Sequence, residues 1–218
     1  MGQGRHHGER AFEAFLRARR TPYVSVNEAR RALIPGDGPA NLKSFDFVVY
    51  SAPGGGASNL LVDIKCRRLP TAPLPALTLV TAEGHRRPQR AAPRRLENWA
   101  TLEDIRSLRA WQGLFGPGFQ ATLIFVYWCD VRDDRADGGQ PPDGLFDEVY
   151  SFERRWYAVR GVLVDDYEPS MKARSARWQT VDLPPASFER LSERFGRHAF
   201  GAPHGRPFAT EPARSAGG

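Results

Sequence analysis

Apolar residues recur at helical spacing in two segments of the chain. Phe12, Phe15 and Leu16 form one stripe, which predicts a helix over residues 9–20 that ends before Pro22. A second apolar repeat predicts a helix over residues 102–115, with Thr101 as its N-cap, and Gly116-Pro117 ends that run. Shorter helical turns are predicted at residues 28–33 and 169–173, and a closing helix at residues 187–195.

Strand patterns lie between these helices. The segments share β-branched and aromatic residues or an alternation of apolar and polar positions. They are residues 23–26, 44–50, 60–65, 119–128, 156–164 and 178–183, the last expected at a sheet edge. The Gly/Pro-rich cluster at residues 51–59 separates two of them and predicts a β-hairpin.

The order of elements predicts an α/β fold. A hairpin followed by a strand–helix–strand crossover implies a mixed β-sheet flanked by helices, here with a C-terminal α+β extension. We expect a single domain over residues 1–195 and a disordered tail at 196–218. Two irregular insertions are expected inside that domain, an Arg/Pro-rich loop at 67–96 and a loop at 130–150.

Charge favours a polyanionic partner. The 218 residues carry a formal net charge of +6, and the sequence pI is about 9.7. Residues 67–95 hold seven arginines against the single acid Glu83, so the excess basicity is concentrated there. A basic surface attracts nucleic acid because binding releases condensed counterions, although the same loop could be a solvated linker.

Other site classes receive little support. Cys66 and Cys129 lack the spacing of a disulfide framework or a zinc site. The five histidines lack partners at metal spacing and are expected on the surface: His6, His7, His85, His198 and His204. The five tryptophans are expected to anchor the core. Without an apolar signal core or a run of the ~18 apolar residues that a membrane helix needs, we expect a cytoplasmic protein with no membrane partner.

Candidate chemistry lies on the predicted hairpin. Asp63 and Lys65 point to the same face because side chains alternate along a strand. A turn centred on Gly54-Gly55 would place Asp46 opposite Asp63, and a shift of two residues would place it opposite Lys65. The alternative is an ordinary solvated ion pair on the outside of a hairpin.

Two carboxylates beside one ammonium indicate a hydrolytic metal site. Mg²⁺ or Mn²⁺ takes carboxylate oxygens and substrate phosphate oxygens, and relieves the repulsion between paired acids. Lys65 would orient or deprotonate a bound water and neutralise charge in the transition state. Glu9 or Glu13, on the first helix, could supply a third carboxylate, although Glu9 could instead stabilise the helix N-terminus.

These residues resemble a known nuclease superfamily. The helix acid, Ser44-Phe45-Asp46-Phe47 and Val62-Asp63-Ile64-Lys65 are similar to the PD-(D/E)XK nucleases, and in particular to the archaeal Holliday junction resolvases. Residues 7–13, His-Gly-Glu-Arg-Ala-Phe-Glu, also resemble the motif that names the HYExAFE family, with Gly8 in place of its tyrosine. Further similarity to that family lies at residues 26–33, 42–44, 97–99 and 111–116.

The resemblance implies a restriction-endonuclease-like fold and a role for each site residue. Glu9, Asp46, Asp63 and the Ile64 carbonyl would hold the metal, and Lys65 would be the catalytic lysine. Gln112 would face the site and contact nucleic acid. Independently of the resemblance, Arg67 and Arg68 of the basic loop are candidates for gripping phosphate, and DNA is favoured over RNA without RNA being excluded. The implied function is a metal-dependent endonuclease that could act as a homodimer; the alternatives are an inactive nuclease-fold module that binds nucleic acid, or an interaction protein.

Overall fold

The computed structural model describes residues 6–26, 42–51, 58–69, 95–130 and 149–199. Predictions for residues 28–33, for most of the two insertions (70–94 and 131–148) and for 200–218 lie outside these ranges, as do His85 and His204. The elements are α1 (His7–Ala18), β1 (Tyr23–Ser25), β2 (Phe47–Val49), β3 (Asn59–Arg68), β4 (Ala100–Thr101), α2 (Leu102–Phe115), β5 (Phe119–Asp130), β6 (Tyr150–Phe152), β7 (Arg155–Leu163), α3 (Val164–Tyr167), a 3-10 turn (Glu168–Ser170), β8 (Lys172–Ser175), β9 (Thr180–Asp182) and α4 (Pro185–Ala199).

The described residues form a mixed six-stranded sheet in the order β1-β2-β3-β5-β7-β6. β3 and β5 are parallel and the other neighbouring strands are antiparallel. β4, β9 and β8 form a second, three-stranded sheet. The predicted α/β class, a mixed sheet flanked by helices, is confirmed, as are the hairpin and the crossover.

Helices cover both faces of the larger sheet. Alternation along β3 sends Leu61 to one apolar cluster and Val62 to another. α2 contributes Ile105 and Leu108 to the first cluster, and α1 contributes Phe12 and its neighbours to the second. α1 and α2 therefore lie on opposite faces, and each fully buried large side chain stabilises its layer by about 1.5–3 kcal/mol.

α2 begins and ends where the sequence predicts. The Thr101 hydroxyl accepts a hydrogen bond from the Asp104 N–H, and the Asp104 carboxylate accepts one from the Thr101 N–H, which makes a capping box. Gly116 ends the helix with φ of +79°, a backbone conformation that favours glycine. Both ends are set locally, so sequence patterns were sufficient to place them.

The C-terminal part departs from prediction. β9 is the central strand of its sheet, between β4 and β8, because β8 continues the pairing beyond it. The helix predicted at 169–173 is only a 3-10 turn, after which Lys172 and Ala173 pair with β9. α4 extends to Ala199, past residue 196, where the tail was predicted to start.

None of the helices in the described ranges is long and apolar enough to cross a bilayer.

Two boundaries of the predicted insertions also differ. Arg67 and Arg68 belong to β3, because that strand stays paired with β5 as far as Arg68 opposite Trp128. Tyr150 begins β6 and pairs with Tyr157. Trp178, expected in the core, is 68% exposed at the turn between β8 and β9.

Candidate metal and phosphodiester site

The hairpin places Asp46 immediately before the first residue of β2, next to β3. Phe47 pairs with Val62, and the Asp46 N–H donates to the Val62 carbonyl at 2.8 Å. The ladder between β2 and β3 ends at this Phe47–Val62 pair, so Asp46 forms neither of the two predicted ladder pairs, with Asp63 or with Lys65. The Asp46 side chain turns back to the strand, where its Oδ2 accepts the Ile64 N–H at 2.6 Å. Asp46 is therefore held beside the catalytic segment predicted on β3.

Asp63 and Lys65 lie on the face of β3 that α2 covers. The Lys65 Nζ is 2.7 Å from the Asp63 Oδ2, and both side chains are almost completely buried, 12% and 9% exposed. This is not the solvated surface pair that was the alternative. Burying two charges is costly, so the environment must compensate them.

Asp104 supplies that compensation from the first turn of α2. Its Oδ2 lies 2.8 Å from the Lys65 Nζ, and its Oδ1 contacts the Lys43 Nζ. Lys43 is in turn held to α2, because its N–H donates to the Ser107 hydroxyl and its carbonyl accepts the Trp111 indole N–H. The sequence pattern assigned Asp104 only to the start of α2. Its position near Lys65 could have been inferred, because a crossover helix after β3 must begin near the end of β3 that carries Lys65.

The charges divide the carboxylates into two kinds. Burial raises the pKa of Asp46 to about 7, and the negative charges of Asp63 and Glu9 add to this, whereas the Ile64 N–H opposes it. Burial likewise raises the pKa of Asp63 despite the neighbouring Lys65. Burial acts to raise the pKa of Asp104 as well, but Lys65 and Lys43 outweigh it and the net pKa is well below the ordinary value. Asp104 therefore stays ionised well into the acid range, whereas Asp46 takes up a proton near neutral pH.

Glu9 approaches from the other side of the sheet. It lies in the first turn of α1, which packs on the face opposite α2. Its charge nevertheless contributes to the raised pKa of Asp46, just before β2 begins. The structure therefore brings Asp46, Asp63, Lys65 and Asp104 together, with Glu9 acting on this group through Asp46.

The oxygen atoms at this point fit a hard divalent cation. Asp63 Oδ2 is buried and, among the described residues, has no aligned hydrogen-bond donor, although the Lys65 ammonium is close. The Ile64 carbonyl points to the same side of β3 as its N–H, which is the Asp46 side, because both groups of a strand residue face the same neighbour. Carboxylate and carbonyl oxygens are the ligands that Mg²⁺ and Mn²⁺ prefer.

Arg67 and Arg68, which were predicted to contact nucleic acid, each lie against a tryptophan ring. The Arg67 guanidinium donates to the carbonyls of Trp99 and Cys66, at 2.7 and 3.0 Å, and lies 3.9 Å from the centre of the Trp99 ring. It therefore ties β3 to the segment before β4. Arg68 points to the opposite face of the sheet from Arg67, where its guanidinium lies 5.2 Å from the centre of the Trp128 ring.

Gln112, predicted to contact nucleic acid, makes its hydrogen bonds away from Asp63 and Lys65. Its Oε1 accepts the Ala121 N–H at 2.7 Å, and its Nε2 lies 3.5 Å from an Asp165 oxygen. Eight residues of helix separate it from Asp104, which is about 12 Å along the axis. Gln112 instead fastens the C-terminal half of α2 to the start of β5.

No protein-family model matches the chain, and no curated protein matches it. Among solved structures the chain is similar to Hjc, a Holliday junction resolvase from Archaeoglobus fulgidus, with 13% sequence identity and a TM-score of 0.40. The match covers 84% of this chain and 89% of that one.

Proposed function

We propose that the chain is a metal-dependent endonuclease that hydrolyses phosphodiester bonds of DNA, with Mg²⁺ or Mn²⁺ as cofactor. The observation that carries the proposal is the buried group of Asp46 and Asp63 with Lys65, at the end of the hairpin. Acids and an amine are seldom buried together in a purely structural role unless opposite charges balance one another. In this group two carboxyl groups, Asp46 and Asp63, accompany one amine, Lys65. The resemblance of the motif residues to the PD-(D/E)XK nucleases supports this assignment.

Asp46, Asp63, Glu9 and the Ile64 carbonyl would hold the ion. When bound, the ion supplies Lewis acidity and a lowered pKa for water. Lys65 keeps its ammonium between Asp63 and Asp104, where it can meet the charge that develops on the phosphoryl oxygens. Water attacks phosphorus, the bond from phosphorus to the leaving sugar oxygen breaks, and that oxygen takes up a proton.

The β8–β9 turn is the nucleic-acid contact that we propose in place of Gln112. The Leu102 N–H donates to the Gln179 carbonyl at 2.9 Å, so this turn lies against the first residue of α2, two positions before Asp104. Trp178 is exposed there with the Arg177 guanidinium 5.0 Å from the centre of its ring, and Lys172 and Arg174 are exposed on β8. An exposed aromatic ring among cations suits an unstacked base and its phosphate.

Each chain would carry one such site and cut one strand. Paired cuts in a duplex or a junction therefore require two copies, and we propose a homodimer for that reaction. A DNA substrate agrees with the cytoplasmic location expected from the sequence.

The test is cleavage of branched, linear duplex and single-stranded DNA by purified protein with Mg²⁺ or Mn²⁺. We expect cutting that EDTA abolishes and that Asp63→Asn removes. Asp166→Asn, a carboxylate change on α3, is the matched control and should cut normally. Binding of DNA without cutting by any preparation would favour an inactive binding module, and neither binding nor cutting would leave an interaction protein.

A further inference from the structure

Three metal-ligating side chains meet on the face of the sheet opposite Lys65. One donor atom each from His6, His7 and Cys66 lies within 4.8 Å of the other two. Cys66 follows Lys65 on β3, so strand alternation directs it toward α1 and away from the acidic site. The histidines were expected on the surface because they lack partners at metal spacing along the chain. Cys66 is 59 positions from His7, a separation that no local spacing rule detects.

The start of α1 is built to approach this strand closely. His6 is the N-cap, and its Nδ1 accepts the Gly8 N–H at 3.3 Å. A Cβ atom at Gly8 would lie 2.6 Å from the Cys66 Sγ, closer than any side chain tolerates. Glycine at this position therefore lets the helix bring both imidazoles to the thiol.

His7 is oriented as a metal ligand would be. Its Nδ1 lies 3.0 Å from the Tyr157 hydroxyl, and its Nε2 lies 4.0 Å from the Cys66 Sγ. With the ring proton on Nδ1, donated to Tyr157, the Nε2 lone pair faces the sulfur. Ligating histidines characteristically fix their second nitrogen in this way, because it sets the tautomer and the ring orientation.

We propose that His6, His7 and Cys66 form a second metal site, selective for a thiophilic transition metal such as Zn²⁺. Tetrahedral zinc with sulfur and nitrogen ligands separates those two atoms by about 3.6 Å, so the His7–Cys66 distance needs to shorten by only a few tenths of an ångström. The thiol proton passes to solvent, and water completes the four ligands. Arg68 and Arg155 lie near by, over the Trp128 ring, and a thiolate ligand lowers the charge of a bound Zn²⁺ from +2 to +1, which limits its repulsion by these arginines.

The donor sets separate the two sites chemically. Sulfur and imidazole favour zinc over magnesium, whereas the oxygens of Asp46 and Asp63 favour the reverse. A bound ion would link the first turn of α1 to β3 at Cys66, the residue that follows Lys65. Zinc binding at this site does not require nuclease activity, and it is measured as the bound metal content and the thermal stability of the chain.

The experiment is zinc and cobalt titration of the untagged full-length chain, with bound metal measured after gel filtration. We expect one tight equivalent, a sulfur-to-cobalt charge-transfer band, and a Tm raised by Zn²⁺. Cys66→Ser and His7→Gln should each weaken binding at least tenfold and remove the Tm increase. The matched control Cys129→Ser and the acidic-site variant Asp63→Asn should keep all three properties.

Two results would overturn the site. One is a wild-type chain with no charge-transfer band and no zinc retained. The other is a Cys66→Ser chain that binds zinc as tightly as wild type, with circular dichroism confirming that it is folded in EDTA. Because His7→Gln leaves the thiol in place, it tests the site even where the Cys66 variant folds poorly.

Discussion

The Lys65 Nζ lies 2.8 Å from the Asp104 Oδ2, and the same oxygen accepts the Thr101 N–H at 2.9 Å. One carboxylate thus caps α2 and fixes the lysine of β3. The start of the helix and the orientation of the candidate catalytic amine are consequently a single structural unit.

Replacing Asp104 should therefore affect both. We expect Asp104→Asn to lower the free energy of unfolding by at least the ~1 kcal/mol of a helix cap, and to slow cleavage by changing kcat more than KM, because Lys65 loses its orientation. Glu103→Gln is the control, since Glu103 is exposed in the same turn. Equal cleavage by the two variants well below their Tm values would show that Asp104 does not position Lys65.

Lys65 and Lys43 both contact Asp104, but only Lys65 is almost completely buried. Lys65→Met leaves two buried carboxylates without their shared cation, so we expect a loss of about 3–5 kcal/mol in the free energy of unfolding. We also expect cleavage to fall by about 100-fold or more. Lys43→Met should cost clearly less in denaturant unfolding and keep most of the cleavage; a reversed order of the two lysines would contradict the site.

Metal-free stability should fall as pH rises. Asp46 has a pKa of about 7 in the folded chain against an ordinary 3.8, so the folded state holds a proton that the unfolded state has lost between these values. The contribution of Asp46 is complete below about pH 4 and is lost as pH rises through 7. Asp104 acts oppositely, since its lowered pKa makes its contribution fade only in acid.

Thermal melts in EDTA from pH 5 to 8 measure this effect. Asp46→Asn should flatten the decline, and Mg²⁺ should reduce it in wild type because the ion takes the place of the proton. A decline of equal slope in Asp46→Asn would assign the effect to another group.

Trp178 and Leu114 are both 68% exposed but lie near opposite ends of α2, beside its start and in its last turn respectively. We expect Trp178→Ala to weaken binding of single-stranded or branched DNA about tenfold, the loss of roughly one stacked base, with an unchanged Tm. Fluorescence anisotropy at fixed salt measures it. Leu114→Ala should bind as wild type, and equal weakening by both variants would rule out a stacking role for Trp178.

Gln112 should matter for stability alone. Gln112→Ala removes the acceptor of the Ala121 N–H, which predicts a loss of about 1 kcal/mol in denaturant unfolding with cleavage unchanged. A selective loss of cleavage at full stability would return Gln112 to the site.

Local rules account for the parts that the sequence predicted. The antiparallel pairing of β2 with β3 brings Asp46 to the part of β3 that carries Asp63, and two-residue alternation puts Lys65 on the same face as Asp63. Asp104 was missed because the 70–94 connection gives no local information on which strand residue the helix start will meet. Helical periodicity identified the apolar stripe of α2, but the partner of Gln112 depends on where β5 begins.

The parallel pairing of β3 with β5 joins positions about sixty residues apart, such as Asn59 and Phe119. Closing so long a segment costs entropy before any contact across it stabilises the chain, and parallel pairings of this kind form slowly. The hairpin can bring Asp46 to β3 early, but Asp104 reaches Lys65 only after that closure. During folding the acids and the amine therefore meet in two stages, and the candidate site should be complete only after most of the secondary structure has formed.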